Sequence, residues 1–159
     1  MSLEEIKYFL NEAEANCSYA TQGEVNETVL DDNTRVIGPY TKDQFTYIDR
    51  YKGFNWFTGR EEITKNGKLV WHREYDGGIT DEKIKSEKSR GKNLYEFLKA
   101  ALRACPNETP WRRGPDIFKE GDFEFIDDCI GDMSEFKGRE TITLNGNEIY
   151  YMDYWGGTD

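Results

Sequence analysis

The chain has 159 residues, 36% apolar, 33% charged and 14% aromatic, which suits one domain with one core and is too aromatic for a disordered segment. A formal net charge of −10 repels phosphate backbones, so no nucleic-acid partner is expected. No apolar run nears the roughly 20 residues that span a bilayer. The start, Met1-Ser2-Leu3-Glu4-Glu5, lacks the basic and apolar regions of a secretory signal, so a cytoplasmic location and no membrane partner are expected.

Leu3, Ile6, Phe9, Leu10, Ala13 and Cys17 recur at helical spacing and predict a helix over 3–17, with Ser2 as N-cap and Glu5 completing a capping box. Residues 18–35 are polar and turn-rich and read as a loop. Three strands are predicted next, at about 44–51, 56–64 and 69–76, with Asn66-Gly67 as a two-residue hairpin turn and Gly77-Gly78 closing the unit. The charged stretch from about 80 to 92 mixes lysines with Asp81, Glu82 and Glu87 and reads as a solvated linker. Leu94, Phe97, Leu98, Ala101 and Leu102 predict a second helix over 93–105, stopped by Pro106. Strands are predicted at about 123–129, 136–144 and 148–155, with Asn145-Gly146 as the second hairpin turn.

The two series of elements carry one text. Phe57-Thr58-Gly59-Arg60-Glu61-Glu62-Ile63-Thr64-Lys65-Asn66-Gly67 returns as Phe136-Lys137-Gly138-Arg139-Glu140-Thr141-Ile142-Thr143-Leu144-Asn145-Gly146. Tyr75-Asp76-Gly77-Gly78 returns as Tyr154-Trp155-Gly156-Gly157, and Gly38-Pro39 as Gly114-Pro115. Phe45, Ile48, Asp49 and Gly53 match Phe123, Ile126, Asp127 and Gly131, and Phe9-Leu10, Ala13 and Cys17 match Phe97-Leu98, Ala101 and Cys105. A single helix with three strands is too small to bury its own sheet. The expected fold is therefore α+β: one domain over 1–159, in which duplicated α-β-β-β units (about 1–80 and 93–159) are related by pseudo-two-fold symmetry. Helices should pack on one face of an antiparallel sheet. Whether six strands make one sheet or two stays open.

A tight Asn-Gly turn sets register. Counted outward from the turns, Glu61 falls opposite His72 and Glu140 opposite Tyr151, with both glutamates between apolar residues on the inward face. A buried carboxylate needs a partner, and His72 and Tyr151 are the ones this register supplies. The same count puts Trp56, Arg60, Trp71, Arg73 and Tyr75 on the opposite face, with Arg139, Tyr150, Met152 and Tyr154. Aromatics beside arginines stack flat ligands or anchor a protein partner. Candidate ligand-binding residues are thus Glu61, Glu140, His72, Tyr151, Trp71 and Tyr150, with Asp49 and Asp127 completing a carboxylate group.

Catalytic templates are absent: no Gly-x-Ser-x-Gly, no phosphate-binding Gly-rich loop, no dinucleotide fingerprint. Cys17, Cys105 and Cys129 form no Cys-x-x-Cys, and the lone His72 cannot complete a zinc site with them, so no metal, cofactor or catalytic residue is assigned.

Tyr47-Ile48-Asp49-Arg50-Tyr51-x-Gly53, Phe57-x-Gly59-x-Glu61, Arg113-Gly114-Pro115, Phe136-x-Gly138-x-Glu140 and the closing Gly156-Gly157 stand in an order that resembles a bacterial family of domains of unknown function, number 5680 in its series. That family includes standalone proteins and domains fused behind Xre-type helix-turn-helix regulators; its activity is unassigned, so no role transfers to a residue here. The duplicated organisation is also similar, by fold alone, to GyrI-like effector-binding domains, which hold lipophilic cations with aromatics around a glutamate.

The leading expectation is a binding or sensor module for a cationic or aromatic small molecule or a protein partner. The alternatives are an enzyme using Glu61 or Glu140 as general acid or base, and a structural module that forms a homodimer through its aromatic face.

Overall fold

The computed structural model describes residues 2–159. Helix α1 (Leu3–Asn16) begins with the expected capping box, Ser2 and Glu5 each bonding the other's backbone, and buries Ile6, Phe9, Leu10 and Ala13. Five strands follow: β1 (Glu27–Val29), β2 (Arg35–Lys42), β3 (Phe45–Gly53), β4 (Trp56–Lys65) and β5 (Lys68–Ile79). Two helices, α2 (Glu82–Ser86) and α3 (Lys88–Arg103), precede four more strands: β6 (Ile117–Glu120), β7 (Phe123–Asp132), β8 (Glu135–Leu144) and β9 (Asn147–Thr158).

The strands form one antiparallel sheet in the order β1-β2-β3-β4-β5-β9-β8-β7-β6, with β5 and β9 adjacent at its middle. The helices pack on one face. Phe9 stacks on Phe45 at 5.1 Å between ring centroids, Phe97 stacks on Phe123 at 4.9 Å, and Tyr95 meets Phe57 and Tyr150 edge-on. Between the layers lies one apolar core holding Leu10, Tyr47, Ile63, Trp71, Leu98 and Phe125. An α+β architecture with an antiparallel sheet is therefore correct, but three strands escaped the sequence reading. β1 and β6 are short, exposed edge strands, and β2, which lies between β1 and β3, buries only the adjacent Ile37 and Gly38, so none of the three carries an apolar alternation. The stretch from 80 to 92 is not a linker. Asp81 caps α2 by accepting from the backbone of Lys83 and Ile84, and the charged residues cover the solvent side of helices that bury Ile84 and Gly91.

Both hairpins turn as expected, with positive φ at Asn66 (53°), Gly67 (79°), Asn145 (51°) and Gly146 (82°). The register beyond them differs. After Thr64↔Leu69 the pairing jumps to Ile63↔Trp71, and after Thr143↔Glu148 it jumps to Ile142↔Tyr150. Val70 and Ile149 are extra residues, one β-bulge per hairpin, and a one-residue shift exchanges the two faces of a strand. Glu61 therefore pairs with Arg73 and Glu140 with Met152, not with His72 and Tyr151. The bulge lets Val70 and Trp71 be buried together, and Ile149 with Tyr150, an apolar gain that outweighs an unbroken ladder.

A Cβ at Gly67 would meet no atom within 4 Å, so only backbone strain opposes a side chain there. Gly67→Val should cost about 1–2 kcal/mol in urea melts, because a β-branched residue resists positive φ; an unchanged midpoint would contradict the turn.

Candidate functional site

The bulges decide which side chains face the helices. Strand β3 turns Tyr47 and Asp49 inward, β4 turns Glu61, and the shifted β5 adds Trp71, Arg73 and Tyr75. From the other side come Asp127 on β7, Glu140 on β8, and Tyr150, Met152 and Tyr154 on β9. The repeated Phe-x-Gly-x-Glu motif now has a physical reason. A Cβ at Gly59 would overlap the Tyr75 ring, and one at Gly138 would overlap the ring of Tyr154. With that room, the Tyr75 hydroxyl donates to Asp49 Oδ1 at 2.6 Å and the Tyr154 hydroxyl donates to Asp127 Oδ1 at 2.7 Å.

Arg73 is the hub of this layer and only 2% exposed. Its Nε and Nη2 both donate to Glu61, the latter at 2.9 Å, and Nη2 also reaches Glu14 of α1 at 2.6 Å. Its Nη1 donates to the carbonyls of Pro110, Trp111 and Arg112 in the segment after α3. Tyr47 donates to Glu61 at 2.7 Å. That same segment brings two further arginines inward. Arg113 donates to Glu140 at 2.7 Å and lies over the Tyr75 ring, while Arg112 donates to Asp127 at 2.9 Å. Tyr150 donates to the second oxygen of Glu140.

Two cavities open between the sheet and the helices. One of about 400 Å³ is polar, with Glu14, Glu61, Arg73 and Asn11 on its walls. The other, about 330 Å³, is walled by Tyr51, Phe54, Phe57, Tyr75 and Tyr95. They share Tyr19, Asp49 and Arg113, so Asp49 lies at their junction. Asp49 is 3% exposed, forms no ion pair among the described residues, and keeps Oδ2 without a hydrogen bond.

The carboxyls differ accordingly. Burial and the charge of Glu61 push Asp49 up to about 8 against the pull of Tyr75, Arg113 and Arg73. Burial raises Glu14 to about 7 despite Arg73. Burial raises Asp127 to about 6 despite Tyr154 and Arg112. Burial also acts on Glu61, but the charge and hydrogen bonds of Arg73, with Arg113 and Tyr47, overturn it and hold this carboxyl below its usual range. With both oxygens occupied, Glu61 is a poor proton shuttle. Burial lifts the thiol of Cys105, which lines the polar cavity, to about 12, so it stays protonated rather than nucleophilic.

Of the residues singled out in the sequence, Glu61, Glu140, Asp49, Asp127, Trp71 and Tyr150 share the inward layer; Trp71 and Tyr150, which the count from the turns puts on the opposite face, are brought inward by the bulges. Trp71 serves packing: its indole donates to the Met133 carbonyl and stacks on Phe136. His72 and Tyr151 belong to the outer face, a correction that follows from the bulges. His72 Nε2 lies 3.8 Å from Glu74, and Tyr151 lies beneath Arg139 and edge-on to Trp56. The residues missed are Arg73 and Tyr75, both assigned to the wrong face, and Tyr47, Glu14, Arg112 and Arg113. The recurrence of Tyr75 and Tyr154 before paired glycines was the one usable signal. The arginines of the 104–116 segment leave none, since nothing local says that a charged turn folds inward.

The fold and cleft define an α+β domain that spreads one antiparallel sheet under two long helices and encloses ionic side chains between them. The family model for a domain of unknown function, DUF5680, matches residues 4–80 and 49–158, and the chain belongs to that family. Searches of curated proteins and of solved structures found no match. No helix among the described residues is long and apolar enough to cross a membrane.

Arg73→Met leaves the buried Glu61 and the partly buried Glu14 without their cation and should destabilise by about 3–5 kcal/mol in denaturant melts; a loss below about 1 kcal/mol would deny Arg73 its central place. The acids give a second expectation. Asp49, Glu14 and Asp127 bind protons more tightly folded than unfolded, so ligand-free stability should fall as pH rises from about 5 to about 8. Glu61, lowered, has the opposite sign and loses its contribution only as pH drops through its depressed value. Urea midpoints measured across this range check it, and Asp49→Asn should flatten the upper half of the profile.

Proposed function

We propose that this domain is a binding module for a cationic small molecule, seated at Asp49 in the cleft between the helices and the sheet. The observation that carries the reading is a carboxyl buried at the meeting of two cavities with no cation of its own. Each other acid in the layer has an arginine: Glu61 and Glu14 share Arg73, Asp127 takes Arg112 and Glu140 takes Arg113. A ligand cation supplies what Asp49 lacks, and the aromatic walls of the adjoining cavity suit an apolar body and cation–π contact. The two halves are read as copies of one α-β-β-β unit about a pseudo-two-fold axis. The strand order, mirrored across the β5–β9 contact, and the bulge repeated in each hairpin support that reading. In it, the cleft lies where the copies differ: Arg73 of the first has Met152 as its counterpart.

A second reading follows from the outer face, where Trp56 (43% exposed), Trp155 (41%) and Ile130 (68%) stand uncovered. Such a surface suits a protein partner or a second copy, and native mass spectrometry across a dilution series separates monomer from dimer.

For the cation reading, thermal melts at about pH 8, where Asp49 ionises, should show the melting temperature rising with tryptamine or benzyltrimethylammonium and not with neutral indole. Asp49→Asn should abolish the rise while leaving the unliganded protein folded. Equal shifts from indole and tryptamine, or shifts that survive Asp49→Asn, would refute it.

A further inference from the structure

We propose that the ligand of this cleft is a dibasic amine, with one ammonium group held by Asp49 and the second by Glu14. This rests on the cation-binding reading and narrows it to a class of compound. Charge accounting carries it. Five carboxyls (Glu14, Asp49, Glu61, Asp127, Glu140) share three ion-pairing guanidiniums (Arg73, Arg112, Arg113), while Arg103, also on the wall of the polar cavity, donates to the Ala20 carbonyl, which leaves two carboxyls without a guanidinium of their own. Asp127 and Glu140 have an arginine each. Glu61 holds Arg73 through both its oxygens and takes Tyr47 as well. Glu14 keeps only one hydrogen bond from Arg73, and Asp49 has no cation. The two undermatched carboxyls line the same polar cavity.

Glu14 is also well placed as a ligand arm. The hydroxyls of Ser18 and Thr21 each donate to its backbone carbonyl at 2.8 Å, which fixes the last turn of α1, and its side chain remains one-quarter exposed. A monocation at Asp49 leaves one charge uncompensated, whereas two ammonium groups on one chain match both. A compact divalent metal is disfavoured. A hard cation asks for a shell of oxygens that these two carboxyls do not supply. Ammonium groups need only one or two charge-assisted hydrogen bonds each. The methylene chain between them tolerates the apolar parts of the walls.

Both carboxyls titrate near neutrality, burial being the first cause in each, with Glu61, Arg73 and Arg113 as charged neighbours of both and Tyr75 the hydrogen-bond donor to Asp49. A dibasic amine should therefore displace protons from two groups and a monoamine from one.

Calorimetric titrations near neutral pH with cadaverine, spermidine and pentylamine, run in two buffers of different ionisation enthalpy, test this. In the wild-type protein cadaverine or spermidine should bind at least about tenfold tighter than pentylamine, the order expected for one added charge-assisted hydrogen bond, and should release more protons. Glu14→Gln should bring the diamines down to the affinity of pentylamine, whose continued binding reports an intact site in that variant; Asp49→Asn should weaken all three. If the diamines gain nothing over pentylamine, or release no more protons from the wild-type protein, the dibasic class is wrong. The cation site itself stands in that case, provided Asp49→Asn still weakens pentylamine. If no amine binds the wild-type protein, this inference fails. If benzyltrimethylammonium also fails to bind, the cation reading falls with it.

Discussion

The buried guanidinium of Arg73 is the contact on which the site depends. Removing a charge from water is costly, and it is tolerated here because every donor of the fork has an acceptor. Those acceptors come from three places: Glu61 on the neighbouring strand, Glu14 on α1, and three carbonyls in the segment after α3. One side chain thus ties the sheet to the first helix and to the segment that carries Arg112 and Arg113. Because that segment is drawn inward, the second pair of acids, Asp127 and Glu140, finds its arginines.

The cleft is a consequence of the same arrangement. Three guanidiniums make the ion pairs of these five carboxyls, and the shortfall falls on Asp49 and Glu14, both on the wall of the polar cavity. Asp49 is kept in place not by a cation but by Tyr75, whose ring lies over Gly59. The counterpart, Tyr154 over Gly138, serves Asp127, yet that carboxylate is closed off by Arg112. The same local device therefore yields an occupied structural anion on one side of the sheet and an unpaired acid on the other.

Much of the fold was legible beforehand. The helical stripes at Ile6, Phe9, Leu10 and at Leu94, Phe97, Leu98, the Asn-Gly turns and the antiparallel hairpins all rest on interactions between residues close in sequence. The edge strands β1 and β6 were not legible, because exposed residues leave no apolar pattern, and neither was β2, whose two buried residues are adjacent rather than alternating. The candidate site was half legible: four of its acids lay on strands whose alternation could be counted, but Glu14 lay on a helix and its arginines beyond a bulge or in an irregular segment.

What the sequence by itself determined is the inward placement of Glu61 and Glu140, since strand alternation depends only on neighbours two residues apart. What only the tertiary structure decided is their partners. Val70 and Ile149 each slip into the ladder because burying them beside Trp71 and Tyr150 removes more apolar surface from water than an unbroken hairpin would. That choice turns Arg73 toward Glu61 and His72 away from it. It depends on the helices that cover this face, and no count along a single hairpin contains them.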